Sequence, residues 1–133
     1  MQEDKHKFLI NGEEISFEIG NMAKAANGSV LVRYRDNVLL ITATMSNPRA
    51  GIDYFPLIVD FEEKLYARGK IPGGFFRREG RPSTSAILAA RLIDRTLRPL
   101  FPDGFHHEVA IVILPLAVDL TTPLEWLGLI GAN

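Results

Sequence analysis

The sequence contains no cysteine among its 133 residues. Disulfide scaffolds, thiolate zinc sites and cysteine nucleophiles are therefore excluded, and the composition suits a reducing cytoplasm. Long hydrophobic runs are also missing, because the longest, at residues 109–118, contains a proline and falls short of the ~20 residues that a membrane-spanning helix needs. Residues 1–7 mix charges of both signs and no signal-peptide core follows them, so we expect neither secretion nor a membrane partner.

Motifs for several common chemistries are absent as well. The histidines at positions 6, 106 and 107 lack the spacing of metal ligands. No serine stands in a Gly-x-Ser-x-Gly elbow, and the glycines of residues 69–74 do not match the spacing of a P-loop. Zinc catalysis, serine-nucleophile hydrolysis and nucleoside triphosphate hydrolysis therefore have no support.

What the sequence does have is an uneven distribution of charge. The formal net charge is −1, yet residues 64–98 hold nine basic residues against two acidic ones, a local net charge of +7. The remaining 98 residues carry −8. A basic segment on a nearly neutral chain favours a focused anion site over a general coat for polyanions, and phosphate is the obvious ligand.

Two β-hairpins are predicted in the first third of the chain. Residues 8–19 alternate apolar side chains around Asn11-Gly12, a pair that tolerates the positive φ angles of a tight turn. Residues 29–34 and 38–44 are rich in β-branched side chains, and Asp36-Asn37 is the predicted turn between them. This second hairpin is expected to form the centre of a sheet.

Two further strands are expected on either side of a long loop. Residues 54–61 form one, with Pro56 near its start, where a missing N–H does least damage. Residues 62–83 are too rich in glycine and proline for a regular element and are interpreted as an exposed loop. Residues 109–118 form the other strand, and Pro115 within it indicates a bulge or an edge position.

A helix with two distinct faces is predicted after the loop. Ser83 or Ser85 can cap it, and it runs to about Arg98, where Pro99 prevents continuation. At 100° per residue one arc is apolar and the opposite arc is cationic. The apolar arc comprises Ala86, Ala89, Ala90, Ile93 and Leu97, and the cationic arc comprises Arg91, Arg95 and Arg98.

A last helix begins near Thr122, where Thr122, Pro123 and Glu125 fit the N-cap, first and third positions of a capping box. The sequence stops without a clear helix-termination signal, so we expect the chain to be part of a longer one.

Adjacent aromatic and basic side chains stand out within the loop, at residues 75–83. Aromatic faces stack unpaired bases at about 1 to 3 kcal/mol each, and guanidinium groups bind backbone phosphates, so the segment suits single-stranded RNA. The phenylalanines could equally anchor the loop in the core while the arginines pair with nearby glutamates. The residues alone leave this open. The candidate RNA contacts are Phe75, Phe76, Arg77, Arg78 and Arg81.

The cationic face of the helix has two interpretations too. Asp94 lies three residues from Arg91 and four from Arg98, and these spacings allow ordinary surface pairs. One carboxylate cannot neutralise three guanidinium groups, so an anionic ligand is slightly favoured for Arg91, Arg95 and Arg98.

Three segments together resemble bacterial polynucleotide phosphorylases: YARGKIPGGFFRREGRPS at residues 66–83, ARLIDR at 90–95 and LRPLFP at 97–102. The resemblance extends over nearly the whole chain. It implies an α+β, RNase PH-like (ribosomal protein S5 domain 2-like) mixed sheet packed against helices, here truncated. Residues 1–133 would be the N-terminal portion of the first RNase PH-like domain, with the remainder of the protein absent.

The resemblance also implies a function. Polynucleotide phosphorylases degrade single-stranded RNA from its 3′ end with inorganic phosphate as co-substrate, release nucleoside diphosphates and can run in reverse as RNA polymerases. It implies a cytoplasmic homotrimer, a possible RNA-degradation complex, and Mg²⁺ bound by the second RNase PH-like domain. This chain would then hold no catalytic acid and no metal ligand, would be inactive alone, and would supply RNA-channel and ring-assembly surface.

By the same resemblance, Phe76, Arg77 and Arg78 match the family's channel loop, while Arg91, Arg95 and Arg98 face the region between the two domains. Two alternatives remain: an RNase PH or exosome-type subunit that trims RNA 3′ ends, and a non-catalytic RNA-binding or assembly domain.

Overall fold

The computed structural model describes residues 4–48, 50–51, 53–62, 84–119 and 123–133. Within them the chain forms one mixed sheet with two helices. The strands are β1 (Asp4–Ile10), β2 (Glu13–Ile19), β3 (Gly28–Tyr34), β4 (Asn37–Ser46), β5 (Leu57–Phe61) and β6 (Glu108–Ala117). The helices are α1 (Thr84–Leu97), followed by a 3-10 turn (Arg98–Leu100), and α2 (Leu124–Ala132).

The described strands follow the order β1-β2-β3-β4-β6-β5 across the sheet. The first four strands and β6 pair antiparallel, while β5 pairs parallel to β6. A parallel pair needs a crossover connection, and α1 lies within that connection, packed against β5. The expected α+β mixed sheet packed against helices is therefore present.

Both helices close the same core. On α1 the predicted apolar arc is buried at Ala86, Ala89, Ile93 and Leu97. On α2 two glycines permit close approach to the sheet: a Cβ on Gly128 would lie 3.3 Å from Ile113 Cδ1, and one on Gly131 would lie 2.6 Å from Ile41 Cδ1. Trp126 packs edge-on against Tyr34, with 5.2 Å between ring centroids.

The first predicted hairpin is confirmed, and the turn of the second was wrong by one residue. Asn11 and Gly12 have φ angles of 52° and 79°. The second turn is Arg35-Asp36, because Tyr34 pairs with Asn37 and Asn37 belongs to β4. The buried Asn37 amide donates to Tyr34 O at 3.1 Å and to Asp119 Oδ2 at 3.0 Å. These bonds stabilise an asparagine inside the strand that turn propensity alone would place outside it.

Pro115 produces a bulge and does not mark an edge. The β4–β6 register shifts between Val38 and Leu39, opposite Ala117 and Pro115. Because β6 lies between β4 and β5, the edge alternative was wrong. The other strand with a proline, β5, begins at Leu57, just after Pro56, and so is shorter than predicted.

The structure contradicts one of the two predicted caps of α1 and the predicted start of α2. Helix α1 begins at Thr84, so Ser85 lies in its first turn and does not cap it. Helix α2 begins at Leu124, and Pro123 is its N-cap with an extended ψ of 122°. The predicted place of Pro123 as first helical residue was therefore wrong. Ser83, Thr122 and residues 63–83 of the predicted loop lie outside the described residues, so Ser83 as the cap of α1 stays a prediction.

Ile93 tests the packing of α1 on the sheet. Its side chain is 0% exposed, whereas Ile87 on the same helix is 43% exposed. We expect Ile93→Ala to lower the free energy of unfolding by about 2–5 kcal/mol because it removes fully buried methyl groups. Ile87→Ala, which makes the same change in helix propensity, should cost less than about 1 kcal/mol. Urea unfolding of both variants measures the difference, and equal losses would contradict the packing.

Glu13 gives the fold a pH-dependent contact. Its Oε2 accepts hydrogen bonds from Arg35 Nε at 2.5 Å and from Tyr34 Oη at 2.6 Å. The Arg35 hydrogen bond, and then that of Tyr34, lower the pKa of the Glu13 carboxyl below its usual value. A carboxyl with a lowered folded-state pKa stabilises the fold above its unfolded-state pKa and loses that contribution as pH falls.

We therefore expect Glu13→Gln to be less stable than the parent at pH 7. The difference should shrink as pH falls below about 4.3, the ordinary glutamate pKa, and vanish below the lowered one. Unfolding followed at a series of pH values measures it. A difference that stays constant from pH 7 to pH 3 would rule out a role for the Glu13 charge.

Candidate functional site

The outer face of α1 carries the predicted cationic arc. Because Ala86, Ile93 and Leu97 face the core, the residues on the opposite side of the helix must face solvent. Arg91 and Arg95 are exposed there. Arg98 continues the arc into the 3-10 turn, and its side chain is 44% exposed.

Arg98 is bound by groups of this chain. Its Nε and Nη2 donate to Oδ1 and Oδ2 of Asp94 at 2.9 and 3.0 Å. Nη1 donates to Phe55 O at 2.8 Å, and Nη2 also donates to Leu57 O at 3.3 Å. The guanidinium carbon lies 5.8 Å from the centroid of the Phe55 ring. The Asp94 hydrogen bonds raise the pKa of Arg98 further above its already high value.

Arg91 and Arg95 differ from Arg98 in their surroundings. Neither makes a hydrogen bond or an ion pair with any residue in the described part of the chain. Asp94 thus pairs with one arginine of the arc, and two exposed guanidinium groups remain available to a ligand. Guanidinium groups match phosphate oxygens in geometry as well as charge, since two N–H groups can donate in parallel.

The surface around these arginines combines charge with aliphatic side chains. Leu88 and Leu92 are 60% and 51% exposed. An open depression of about 760 Å³ lies over this face. Among the described residues it is lined by Leu88, Arg91, Leu92, Asp94, Arg95, Arg98 and Pro99. An anion in this depression would contact the guanidinium groups of Arg91 and Arg95 beside the apolar side chains of Leu88 and Leu92.

A second depression, of about 430 Å³, lies between the β1–β3 side of the sheet and the end of α2. Phe8, Phe17, Ile19 and Ile130 contribute apolar walls, and its described lining includes no carboxylate, lysine or arginine. Apart from His6, its described lining has no ionisable side chain, so it has the character of a packing surface.

The predicted loop contacts Phe75, Phe76, Arg77, Arg78 and Arg81 lie outside the described residues, so they stay predictions. Only Arg91, Arg95 and Arg98 of the predicted set can be compared with the structure.

Sequence reasoning missed the carbonyl groups that bind Arg98. The i,i+4 spacing of Asp94 and Arg98 signals a possible pair. Nothing in the sequence indicates the contacts with Phe55 and Leu57, which lie 43 and 41 residues away along the chain.

The described residues show neither a metal-binding cluster nor a membrane-spanning helix. They contain no group of three or more histidine, aspartate or glutamate side chains placed to hold a metal ion. His107 Nδ1 lies 3.3 Å from Ser46 O and thus has a backbone neighbour. Within the same residues, none of the helices has the length and apolar character needed to cross a bilayer.

The class of protein follows from comparison with known families. Residues 12–131 match RNase PH, described as the 3′ exoribonuclease family, domain 1, and the chain belongs to this family. The fold agrees: the crystal structure of rice (Oryza sativa) Rrp46 superposes with a TM-score of 0.60 over 88% of this chain and 51% of that one. At 13% identity this likeness concerns the fold alone. The predicted RNase PH-like fold is confirmed.

Relatives with higher sequence identity define the class of protein more narrowly than the fold does. The polyribonucleotide nucleotidyltransferase of Caldicellulosiruptor saccharolyticus is 52% identical over the whole chain, and that of Gloeobacter violaceus is 54% identical over the same extent. The protein of that name from Heliobacterium modesticaldum is 58% identical over 93% of the chain. These matches confirm the resemblance to polynucleotide phosphorylases. The chain spans about a fifth of the length of these relatives, 18–19%.

Proposed function

We propose that this chain is part of a 3′-to-5′ phosphorolytic exoribonuclease that degrades single-stranded RNA to nucleoside diphosphates and can add nucleotides in the reverse direction. The observation that carries the proposal is the 52% identity, over the full chain, to a polyribonucleotide nucleotidyltransferase. Membership of the 3′ exoribonuclease family supports degradation of RNA from its 3′ end.

Within such an enzyme we assign RNA binding, and not the chemical step, to this chain. Arg91 and Arg95 are exposed and have no partner among the described residues, which suits contact with RNA phosphates. The loop residues Phe75 and Phe76 would stack on bases. Arg77, Arg78 and Arg81 would contact the backbone, and the support for these five is their sequence pattern.

The chemical step itself is phosphoryl transfer. An oxygen of inorganic phosphate attacks the terminal phosphorus, and the 3′ oxygen of the preceding nucleotide leaves, so one nucleoside diphosphate is released per step. Such reactions depend on positioning and on neutralisation of charge. Arginines on this chain would hold the backbone in register while the strand advances.

The cofactor and assembly belong to the proposal as well. Mg²⁺ would bind outside this chain, in a second RNase PH-like domain. Among the described residues no three histidine, aspartate or glutamate side chains lie together, so this part of the chain offers no metal site built from protein ligands alone. A cytoplasmic homotrimer, and association with an RNA-degradation complex, would complete the enzyme.

The reaction can be tested directly. The polypeptide that carries this chain is incubated with single-stranded RNA and Mg²⁺, with and without inorganic phosphate, and the products are separated by chromatography. We expect nucleoside diphosphates that appear only with phosphate. Nucleoside monophosphates would indicate hydrolysis and refute phosphorolysis, and a folded polypeptide that binds RNA without turnover would favour a non-catalytic role.

The RNA contacts of α1 can be tested by salt dependence. Each lost phosphate contact should flatten the slope of log affinity against log salt by about 0.7, so Arg91→Met and Arg95→Met together should remove about 1.4. Arg33→Met is the control, because Arg33 is on β3, away from α1. Its Nε lies 3.6 Å from Oε1 of Glu18. Fluorescence titration of labelled RNA measures the slopes. An unchanged slope in the double variant would show that neither arginine contacts phosphate.

A further inference from the structure

Arg98 connects two elements of the fold through four hydrogen bonds. Two run to the Asp94 carboxylate, within α1. Two run to the carbonyl oxygens of Phe55 and Leu57, where β5 begins. The C-terminal end of the helix is thereby attached to the strand beside it.

These contacts occupy the guanidinium group on all three nitrogens. Nε and Nη1 donate once each, and Nη2 donates twice. Arg98 therefore differs from Arg91 and Arg95 in its hydrogen bonds, although the sequence predicts all three on one face of the helix. A ligand that took Arg98 as a full partner would have to displace Asp94 or the carbonyl groups.

We propose that Arg98 is a positioning residue for RNA binding: together with Asp94 it holds the last turn of α1 on β5, so that Arg95 is presented to the RNA backbone. This inference rests on the proposed function. Its physical basis is that the carbonyl groups of a last helical turn lack partners within the helix, and the turn frays unless another contact holds it. Arg95 lies in that last turn.

The competing role makes Arg98 a third phosphate ligand that Asp94 merely neutralises. The two roles predict opposite effects of Asp94→Asn. If Asp94 competes with RNA, removing its charge frees Arg98 and tightens binding. If Asp94 and Arg98 position the turn, removing the charge weakens binding even though the protein becomes more positive.

The substitution Arg98→Lys distinguishes further between a positioning residue and a phosphate ligand. Lysine binds phosphate well, but its single nitrogen cannot bridge a carboxylate and two carbonyl groups in one plane. A phosphate ligand would therefore lose less affinity with Arg98→Lys, which keeps the charge, than with Arg98→Met. For a positioning residue we expect Arg98→Lys, Arg98→Met and Asp94→Asn each to weaken RNA binding by about fivefold, a size typical of coupled contacts.

A double-mutant cycle gives the decisive readout. If Arg98 acts through its neighbours, Arg98→Met should weaken RNA binding no further in a chain that already carries Arg91→Met and Arg95→Met. The residual affinity of that background is measured by fluorescence titration at low salt. An independent ligand would instead add its full loss and overturn the proposal.

Folding is controlled in the same experiment. Thr96→Ala removes a hydrogen bond from Oγ1 to Leu92 O at 2.9 Å in the same turn, and it should leave RNA affinity unchanged. All titrations are made at a temperature where circular dichroism shows each variant folded. If the unsubstituted polypeptide binds no RNA, the proposed function and this inference both fail. If it binds RNA but Asp94→Asn tightens binding or the cycle is additive, only this inference fails.

Discussion

The parallel pairing of β5 with β6 is the constraint on which the candidate site depends. The two strands run side by side from Leu57 and Val109 to Phe61 and Ile113. Since a parallel pair must be joined by a crossover, α1 is brought onto the sheet beside β5. Strand β6 pairs with β5 on one side and with β4 on the other. The crossover therefore lies next to the centre of the core. Once one side of α1 is buried, its opposite side must face solvent, whatever residues it carries.

Arginines on a solvent-facing helix do not by themselves indicate a ligand, and their positions along α1 distinguish them. A cation in the last turn gains roughly 0.3–1 kcal/mol from the partial negative charge of the helix C-terminus. Arg95 lies in that turn and Arg98 follows it, so both have a structural reason for their places. Arg91 lies near the middle of the helix, where this effect has faded, and it has no partner among the described residues. The helix C-terminus therefore gives no reason for an arginine at this position.

Local patterns predicted the elements well, and contacts distant in sequence decided the details. Strand alternation and the Asn11-Gly12 turn depend on neighbouring residues, so both were predictable. The turn before β4 was misplaced because Asn37 bonds with Asp119, 82 residues further along the chain. Pro115 allowed a bulge or an edge, and only the pairing of β6 on both sides distinguished them. The RNA loop contacts rest on sequence alone.

The candidate site shows the same division between local and distant causes. Asp94 lies at pairing distance in the sequence from Arg91 and Arg98, and two effects together favour Arg98. An acid four residues before a base is the better helical orientation, whereas Arg91 precedes Asp94 and Arg95 is adjacent to it, so neither has this geometry. The carbonyl groups of Phe55 and Leu57 then add acceptors that only Arg98 contacts. Because the Asp94 carboxylate pairs with Arg98, it leaves the guanidinium groups of Arg91 and Arg95 without this partner.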